Sequence, residues 1–341
     1  MATTNLKDVA RLAGVHPATA SRALNERTAG MVSPETAERV REAAIALGYR
    51  VNRVARGLKT RRSHTIGMLI PDITNPFFPG MVRGAEDRLH EAGYTLVLAD
   101  TDNDPVQDRR HRDVMLERQV DGLLLATSRR RDPVIEELIG SDVPFVLVNR
   151  TVDRGRVAAV IPDDHAGMAL AVDHLYDLGH RLISHVAGPS ITSSGARRAE
   201  GFVAAVRALG LEPGVGAEAS AFTIEAGHAV AGEVLGAHRP PTAIVAANDL
   251  VALGVLDAAR AQGLSCPGDF SLVGFNDMSF VDRLQPSLTT VRIDEYELGV
   301  RAARLLLSLI DDPSTPRETV MLAPELVVRN STTAPVVGSS T

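Results

Sequence analysis

From Thr65 onward the sequence alternates short apolar runs with amphipathic stretches of helical period, and this alternation constrains the fold more than any other feature. Strands separated by helices form parallel sheets with helices on both faces, and this length of chain favours two doubly wound lobes. Ligands of such folds bind at the carboxyl ends of the strands, so we expect a cleft there. The apolar runs predict strands over residues 66–70, 95–99, 123–126, 144–148, 183–187, 243–247 and 271–275.

The first 49 residues follow a different pattern, which is typical of three short helices. Asn5 is a good N-cap for the first helix, and Gly14 provides its left-handed stop. The second helix begins at Pro17, whose fixed φ suits the first helical position. The third helix has Ser33 as its cap and stops at Gly48. Because only a three-residue turn separates the first two helices, the pattern indicates a helix-turn-helix unit.

Charge divides the chain at about the same place. Residues 1–62 contain 12 Lys or Arg against 5 Asp or Glu, a net charge of +7, whereas the remaining residues contain 24 against 37, a net charge of −13. Basic side chains displace counterions from phosphates, so a basic head on an acidic body predicts nucleic-acid binding. On the second helix, Ala18, Ser21 and Arg22 share a face that is free to enter a major groove. The Arg22 guanidinium can pair with guanine there.

Other classes of protein find little support in the sequence. No apolar run is long enough to cross a bilayer, and the charged first 25 residues are unlike a secretory peptide, so we expect a cytoplasmic protein. The single cysteine, Cys266, excludes an intramolecular disulfide. Residues 100–104 imitate a calcium loop, but Pro105 stands where glycine is needed. With no nucleophile elbow or zinc-protease motif, we expect no metal, no cofactor and no enzymatic activity.

The head resembles that of the lac repressor (LacI/GalR) family of bacterial transcription regulators. The agreement in order and spacing covers LKDVARLAGV at 6–15, TASRALN at 19–25, VSPET at 32–36, LGY at 47–49 and NRVARGL at 52–58. The resemblance implies that Pro17, Ala18 and Arg22 read bases. It further implies that the DNA backbone is held by Thr19, Ser21, Asn25, Ser33, Thr36 and Tyr49.

The same resemblance implies a hinge helix that forms on operator DNA and inserts a leucine into the minor groove. A helix this short is marginal alone, so its folding and DNA binding are coupled. Leu58 is the expected wedge. Two residues depart from the family pattern: His16 replaces a serine cap, and Val51 replaces a proline. The implied hinge residues are Asn52, Arg53, Val54, Ala55, Arg56 and Leu58.

Residues from about 65 to 329 resemble the effector-binding core of the same family and, through it, the sugar-binding periplasmic proteins. The markers include NPFF at 75–78, VDG at 120–122, LGH at 178–180, RAEGF at 198–202, AND at 247–249 and VGFND at 273–277. The resemblance implies a cleft lined by Phe77, Phe78, Asn149, Arg150, Arg198, Phe222, Asn248, Asn276 and Asp277.

These residue types suit a sugar or polyol, because amides and Arg bond hydroxyls and phenyl rings cover the apolar ring face. A nucleobase would use the same groups, so a nucleoside or purine acting as corepressor stays an alternative. Asn248 could instead be a helix cap and Phe222 a core residue. Asn149 and Asn276 stand where family members often have aspartate, which leaves the class of ligand open.

The sequence therefore predicts an N-terminal all-α helix-turn-helix domain with a hinge helix, followed by an α/β periplasmic-binding-protein-like core of two doubly wound lobes. The expected function is that of a homodimeric repressor that binds double-stranded operator DNA under the control of a sugar or related small molecule. A solute-binding protein is the alternative from another class, and the basic head argues against it. The predicted segments are the head at 1–49, the hinge at 50–63, the core at 64–331, with lobes at 64–162 plus 293–324 and 163–292 plus 325–331, and a disordered tail at 332–341.

Overall fold

A computed structural model describes residues 4–24, 28–49 and 62–335 of the chain. The chain divides into two compact units, with the boundary between Ser63 and His64. Asn25 and the predicted hinge residues from Asn52 to Leu58 lie outside the described residues.

The first unit is a three-helix head. Its helices are α1 (Leu6–Leu12), α2 (Pro17–Ala23) and α3 (Pro34–Ala46), with a short 3₁₀ turn at Ala29–Met31. Small and β-branched residues let the three helices pack closely around one apolar centre. The buried residues of that centre are Val9, Ala10, Ala13, Ala20, Ala23, Ala37, Val40, Ala43 and Ala44.

The predicted helix boundaries in the head are confirmed by the capping contacts. The Asn5 side chain accepts from the backbone N–H of Asp8 while the Asp8 carboxylate accepts from the Asn5 N–H, which is a complete capping box. Gly14 and Gly48 follow the first and third helices with φ of 65° and 57°. These left-handed conformations end a helix at no steric cost only when the residue is glycine.

The second unit contains two parallel sheets covered by helices. The strands are β1 (Thr65–Ile70), β2 (Thr95–Asp100), β3 (Gly122–Leu125), β4 (Phe145–Val148), β5 (Ala159–Pro162), β6 (Ile183–Ala187), β7 (Ala217–Glu218), β8 (Ala243–Ala246), β9 (Ser271–Asn276), β10 (Thr289–Arg292), β11 (Thr319–Leu322) and β12 (Glu325–Val327). The helices are α4 (Phe77–Glu91), α5 (Pro105–Glu117), α6 (Pro133–Ile139), α7 (Asp164–Asp177), α8 (Ser193–Ala208), α9 (Ile224–Leu235), α10 (Asp249–Ala261) and α11 (Glu295–Asp311).

Each sheet has six strands and defines one lobe. Lobe 1 has the order β11-β5-β4-β3-β1-β2, and all its strand pairs are parallel. Lobe 2 has the order β12-β10-β9-β8-β6-β7, and β12 pairs antiparallel with β10 at one edge. The central strands β3, β4, β8 and β9 are buried along their whole length, as expected for parallel strands with helices on both faces.

The chain crosses between the lobes three times, after β5, after β10 and after β11. The second crossing brings α11 back onto α4 of lobe 1. Two glycines allow this close packing, because a Cβ on Gly84 would collide with the backbone of Tyr296 and a Cβ on Gly299 with the backbone of Met81. Helix backbones can approach this closely only where side chains are absent.

All seven strands predicted from the apolar runs are present, with ends that differ by at most one residue. The strands β5, β7, β10, β11 and β12 were not predicted, because they are short or mix polar and apolar residues.

The start of the predicted disordered tail is wrong. The Thr333 N–H donates to Ser271 Oγ at 3.0 Å, and Thr332 Oγ1 lies 3.0 Å from His174 Nε2. Because these threonines form hydrogen bonds with residues of lobe 2, they belong to the core. The residues from 336 onward lie outside the described residues.

Candidate functional site

A cavity of about 420 Å³ opens between the two lobes. Residues at or just beyond the carboxyl ends of strands form its wall. These strands are β1 to β4 of lobe 1 and β6 to β9 of lobe 2. This is the position in which open α/β sheets bind ligands, and the volume is in the range of small-molecule sites. Eight of the nine predicted cleft residues line it, namely Phe77, Phe78, Asn149, Arg150, Arg198, Phe222, Asn248 and Asn276.

On the lobe 2 wall, Arg198 of α8 is held by a complete set of partners. Its Nε donates to Asp164 Oδ1 at 2.9 Å, and its two terminal nitrogens donate to the Ala247 carbonyl at 2.6 Å and to Asn276 Oδ1 at 3.4 Å. Its guanidinium also lies 3.8 Å from the centre of the Phe275 ring. Burial raises the pKa of Asp164, and the charge of Arg198 opposes that rise. The positive charge of Arg198 is therefore balanced by a carboxylate of the protein itself.

Asn248 serves two purposes on the same wall. Its side-chain oxygen accepts from the Val251 N–H at 2.9 Å, so Asn248 caps α10. This is the helix-cap alternative that the sequence offered. It also lines the cavity. The adjacent Asp249 points into lobe 2, where it accepts from Thr290 Oγ1 at 2.6 Å and from the Met278 N–H at 2.8 Å. Burial raises the pKa of Asp249 to about 7.

On the lobe 1 wall, Asn149 and Arg150 follow β4 and lack such partners. Both residues are buried, at 7% and 6% exposure. Among the described residues no hydrogen bond reaches Asn149 Oδ1 or Arg150 Nε. Asn149 has a φ of 63°, a left-handed conformation that asparagine tolerates better than most residues. Its backbone N–H donates to the Val160 carbonyl at 2.9 Å, which fixes the turn that aims both side chains at the cavity.

Three phenyl rings supply the apolar part of the cavity. Phe77 and Phe78 start α4 and meet edge to face, with ring centres 5.5 Å apart. Phe222 faces them from lobe 2, and the Arg150 guanidinium lies 5.9 Å from its ring centre. Phe222 also packs where a Cβ on Gly188 would stand, so that glycine makes room for the ring. Because Phe222 is only partly buried and lines the cavity, the alternative of a simple core residue is wrong.

Two hydrogen bonds join the lobes beside the cavity. The Thr151 N–H of lobe 1 donates to Ser193 Oγ of lobe 2 at 2.8 Å. The Arg130 N–H of lobe 1 donates to the Ile191 carbonyl of lobe 2 at 3.0 Å. Each bond is worth about 1 kcal/mol when both partners are otherwise shielded from water, so the pair favours the closed arrangement without forcing it.

Asp277 is the predicted cleft residue that the structure does not bring to the cavity. Its carboxylate pairs with Arg292 Nε at 2.8 Å and with Arg329 at 2.7 Å. Arg292 belongs to strand β10, and Arg329 belongs to the segment after β12. Asp277 therefore joins parts of lobe 2 instead of facing a ligand.

The sequence reasoning missed several polar residues of the lobe 1 wall. They lie in the loops after β1, β2 and β3 and near the start of α5, and the available signal was the place of these loops directly beyond predicted strands. The cavity-lining polar residues missed in this way are Asp72, Asn75, Thr101, Asn103, Asp104, Asp108, Arg109, Thr127, Arg129, Arg131 and Asp132.

In the head, α2 presents the predicted DNA-reading face. Ala18, Ser21 and Arg22 are exposed, while Ala20 and Ala23 on the opposite face are buried. Arg22 forms no ion pair with any carboxylate of the described head.

The other predicted DNA contacts divide into two groups. Pro17 and Thr19 are half-buried at the start of α2. Ser33 caps α3 and donates to Thr36 Oγ1 at 2.9 Å, so these two hydroxyls bond each other at the helix start. Tyr49 packs its ring against the apolar centre of the head.

His16 takes over the role of the missing serine cap. Its Nδ1 accepts from the Ala18 N–H at 3.2 Å, and Pro17 occupies the first helical position. The start of α2 is therefore capped, because an imidazole nitrogen satisfies the same orphan N–H that a serine oxygen would.

Comparisons with known proteins agree with this geometry. Residues 5–52 match the family described as bacterial regulatory proteins, lacI family, and residues 172–332 match the periplasmic binding protein-like domain. The ribose operon repressor of Halalkalibacterium halodurans is 36% identical over 329 residues, which cover 96% of this chain and 97% of that protein. The chain belongs to the lacI family. This membership confirms the predicted ligand-responsive, DNA-binding transcription regulator and the prediction that it is not an enzyme.

Solved structures of lacI-family members share the whole architecture. The lac repressor dimer bound to operator and the anti-inducer ONPF has a TM-score of 0.85 and 27% identity, covering 98% of this chain and 100% of that one. The complex of the transcriptional regulator CelR with cellobiose has a TM-score of 0.74 and 31% identity, covering 96% and 100%. The predicted fold is thereby confirmed. Within the described residues, no helix has the length and apolarity that a bilayer crossing requires.

Proposed function

We propose that this lacI-family regulator is a cytoplasmic, homodimeric repressor. It binds double-stranded operator DNA through residues 1–49 and responds to a sugar or related small molecule in the cavity between its lobes. The observation that carries the proposal is the coexistence, in one chain, of an exposed α2 face that includes Arg22 and a cavity between two lobes that is rich in polar groups. The predicted hinge at 50–63 would connect the two.

The DNA-binding half of the proposal is supported by the chemistry of α2. Arg22 offers a planar fork that matches O6 and N7 of guanine, and the small Ala18 allows the helix to approach base edges. The Ser21 hydroxyl and the half-buried Thr19 suit phosphate oxygens. The net charge of +7 over residues 1–62 adds the sequence-independent part of the affinity.

The effector half is supported by the two walls of the cavity. A ligand that touches both Arg150 of lobe 1 and Arg198 of lobe 2 binds the closed arrangement better than the open one, and only such a difference can shift a conformational equilibrium. The related ribose operon repressor and the CelR complex with cellobiose favour a carbohydrate over other small molecules.

The test begins with selection of a binding site from a pool of randomised duplexes, followed by fluorescence anisotropy at fixed salt. We expect the selected duplex to bind at least about 10³ times more tightly than a scrambled one. Arg22→Ala should reduce this preference by about 10- to 150-fold, which is the loss of one bidentate base contact. A chain that yields no preferred duplex contradicts the proposal.

Arg41→Ala is the matched control, because Arg41 is an exposed arginine of α3 that pairs with Glu38. Its removal lowers the charge of the head by the same amount. We expect a small loss of affinity that is equal for all duplexes, with the preference retained.

A further inference from the structure

We propose that the ligand of the inter-lobe cavity is an anionic polyol, a sugar derivative that carries a carboxylate or a phosphate, and that Arg150 holds the anionic group. This inference rests on the proposed effector function and narrows its ligand class. The observation behind it is a buried cation beside an unpartnered amide oxygen in the cavity wall.

Arg150 is buried without a counter-charge. Its exposure is 6%, and in the part of the chain that the structure describes its side chain has no ion pair and no hydrogen bond. Burying a guanidinium is unfavourable unless the charge is paired. Arg198 across the cavity shows what a paired arginine looks like here, since Asp164 lies 2.9 Å from it.

The charges that act on Arg150 have its own sign. Burial, together with the positive charges of Arg198 and Arg129, lowers the pKa of Arg150 to about 10. A bound oxyanion would relieve all three effects at once, because it supplies the opposite charge that the wall lacks.

The cavity's aspartates are engaged elsewhere. Asp72 accepts from Thr74, Asp104 caps α5 by accepting from Val106, and Asp132 accepts from the backbone N–H groups of Arg129 and Val134. These carboxylates keep local turns in place, so they are not the counter-charge of Arg150.

Asp108 of α5 differs from the other three aspartates. One of its oxygens lies 3.7 Å from Arg112, and the other is buried near Thr127. Burial raises the pKa of Asp108. A carboxylate of this kind accepts hydroxyl groups readily, so the cavity offers an acceptor for the polyol in addition to the cation for its anionic end.

Asn149 and Asn276 make both sides of the cavity compatible with an anion. A carboxylate at either position would only accept hydrogen bonds and would repel an oxyanion, whereas an amide can donate. Asn276 Oδ1 already accepts from Arg198 at 3.4 Å, which turns its amide nitrogen away from that arginine.

The test measures binding by isothermal titration calorimetry on the full chain without DNA, using matched sets of probes. One set is ribose, ribonate and ribose 5-phosphate, and the other is glucose, gluconate and glucose 6-phosphate. We expect at least one anionic member to bind 10-fold or more tightly than its neutral parent. The two kinds of anion distinguish a carboxylate from a phosphate site, and inorganic phosphate alone tests whether the polyol contributes.

Two variants then test the role of Arg150. Arg150→Met should weaken the preferred anion by about 10- to 150-fold, the loss of one charge-assisted contact, and leave the neutral parent within a few-fold. Asn149→Asp should invert the preference, because it places a carboxylate beside Arg150. Arg260→Gln, at an exposed arginine paired with Asp257 far along α10, is the control and should change neither.

The outcomes separate this inference from the proposed function. A neutral sugar that binds as tightly as its anionic derivatives, or an Asn149→Asp variant that keeps the wild-type preference, overturns the anionic class and leaves the regulator and its sugar effector intact. If no probe of either set binds, this inference and the sugar effector both fall, while preferred binding to a duplex would still support the DNA-binding half.

Discussion

The two walls of the cavity solve the problem of a buried arginine in opposite ways. In lobe 2, Arg198 is neutralised by Asp164 and anchored to the Ala247 carbonyl, so its position is set by the protein. In lobe 1, Arg150 has the same charge and a similar burial but no such partner among the described residues. The lobe 2 wall is therefore fixed by contacts within the protein, whereas we expect the lobe 1 wall to gain the counter-charge of Arg150 from a bound ligand.

The largest expected effect is on the paired wall. Arg198→Met would remove the nearer of the two arginines that face the buried Asp164 carboxylate and leave it only Arg197, whose Nε lies 3.6 Å away. We expect the free energy of unfolding to fall by about 3 kcal/mol, the lower end of the cost of breaking a buried ion pair. Urea unfolding followed by circular dichroism measures this. Arg207→Met removes an exposed arginine of the same helix and should have little effect. A loss for Arg198→Met as small as that of the control would mean that the pair does not stabilise lobe 2.

The second effect is a pH dependence that also belongs to lobe 2. The pKa of Asp249 is about 7 in the folded chain, against an ordinary value of 3.8, so the folded state retains a proton that the unfolded state has lost. The free energy of unfolding should therefore fall as the pH rises from about 4 to 7, by on the order of 3 kcal/mol from this group.

Asp249→Asn removes the titrating group while keeping its shape. Urea unfolding at several pH values should show a shallower slope for the variant than for the wild type. Only the slopes are compared, because one amide oxygen cannot accept from both Thr290 and Met278 as the carboxylate does. Parallel slopes would place the proton on another group.

A smaller effect is expected where the walls meet. Ser193→Ala removes the acceptor of the Thr151 N–H, which lies 2.8 Å away, and should cost about 1 kcal/mol. The loss should appear as weaker ligand binding in calorimetry, since the closed arrangement is disfavoured. Ser308→Ala, an exposed helical serine of α11, serves as the control. Unchanged ligand affinity in Ser193→Ala would show that this contact does not contribute to closure.

The smallest expected effect is that of Arg150→Met on stability. Arg150→Met should change the free energy of unfolding by less than about 1 kcal/mol, and in the stabilising direction, because it removes an uncompensated buried charge and keeps most of the packing volume. The same urea titration used for Arg198→Met applies. If both variants lost several kcal/mol, the two walls would not differ in the way described.

The sequence predicted most of the cavity because its residues follow strands whose apolar character is plain. Asn149, Asn248 and Asn276 each come directly after such a run. The shortest strands were harder to find, since β7 and β12 have only two and three residues. The tail prediction failed because the composition around Thr333 is typical of disorder, while its hydrogen bond to Ser271 depends on a strand sixty residues earlier.

The same limit explains the error at Asp277. Its sequence position after β9 is equivalent to that of Asn276, so nothing local separates them. The separation comes from Arg292 and Arg329, which reach Asp277 only once β10 and β12 are in place. The unpaired state of Arg150 is likewise a property of three-dimensional packing, which no spacing in the chain reveals.

The three crossings of the chain between the lobes affect the order in which the lobes can fold during synthesis. The strands that finish the two sheets, β11 and β12, end at Leu322 and Val327, so both edges are added within a few residues of each other and late in the chain. Although domains usually fold in turn as they leave the ribosome, neither lobe here has its full hydrogen-bonded ladder until the other is nearly finished as well. A ribosome stalled at residue 300 should thus expose nascent chains whose lobes both remain open to proteases.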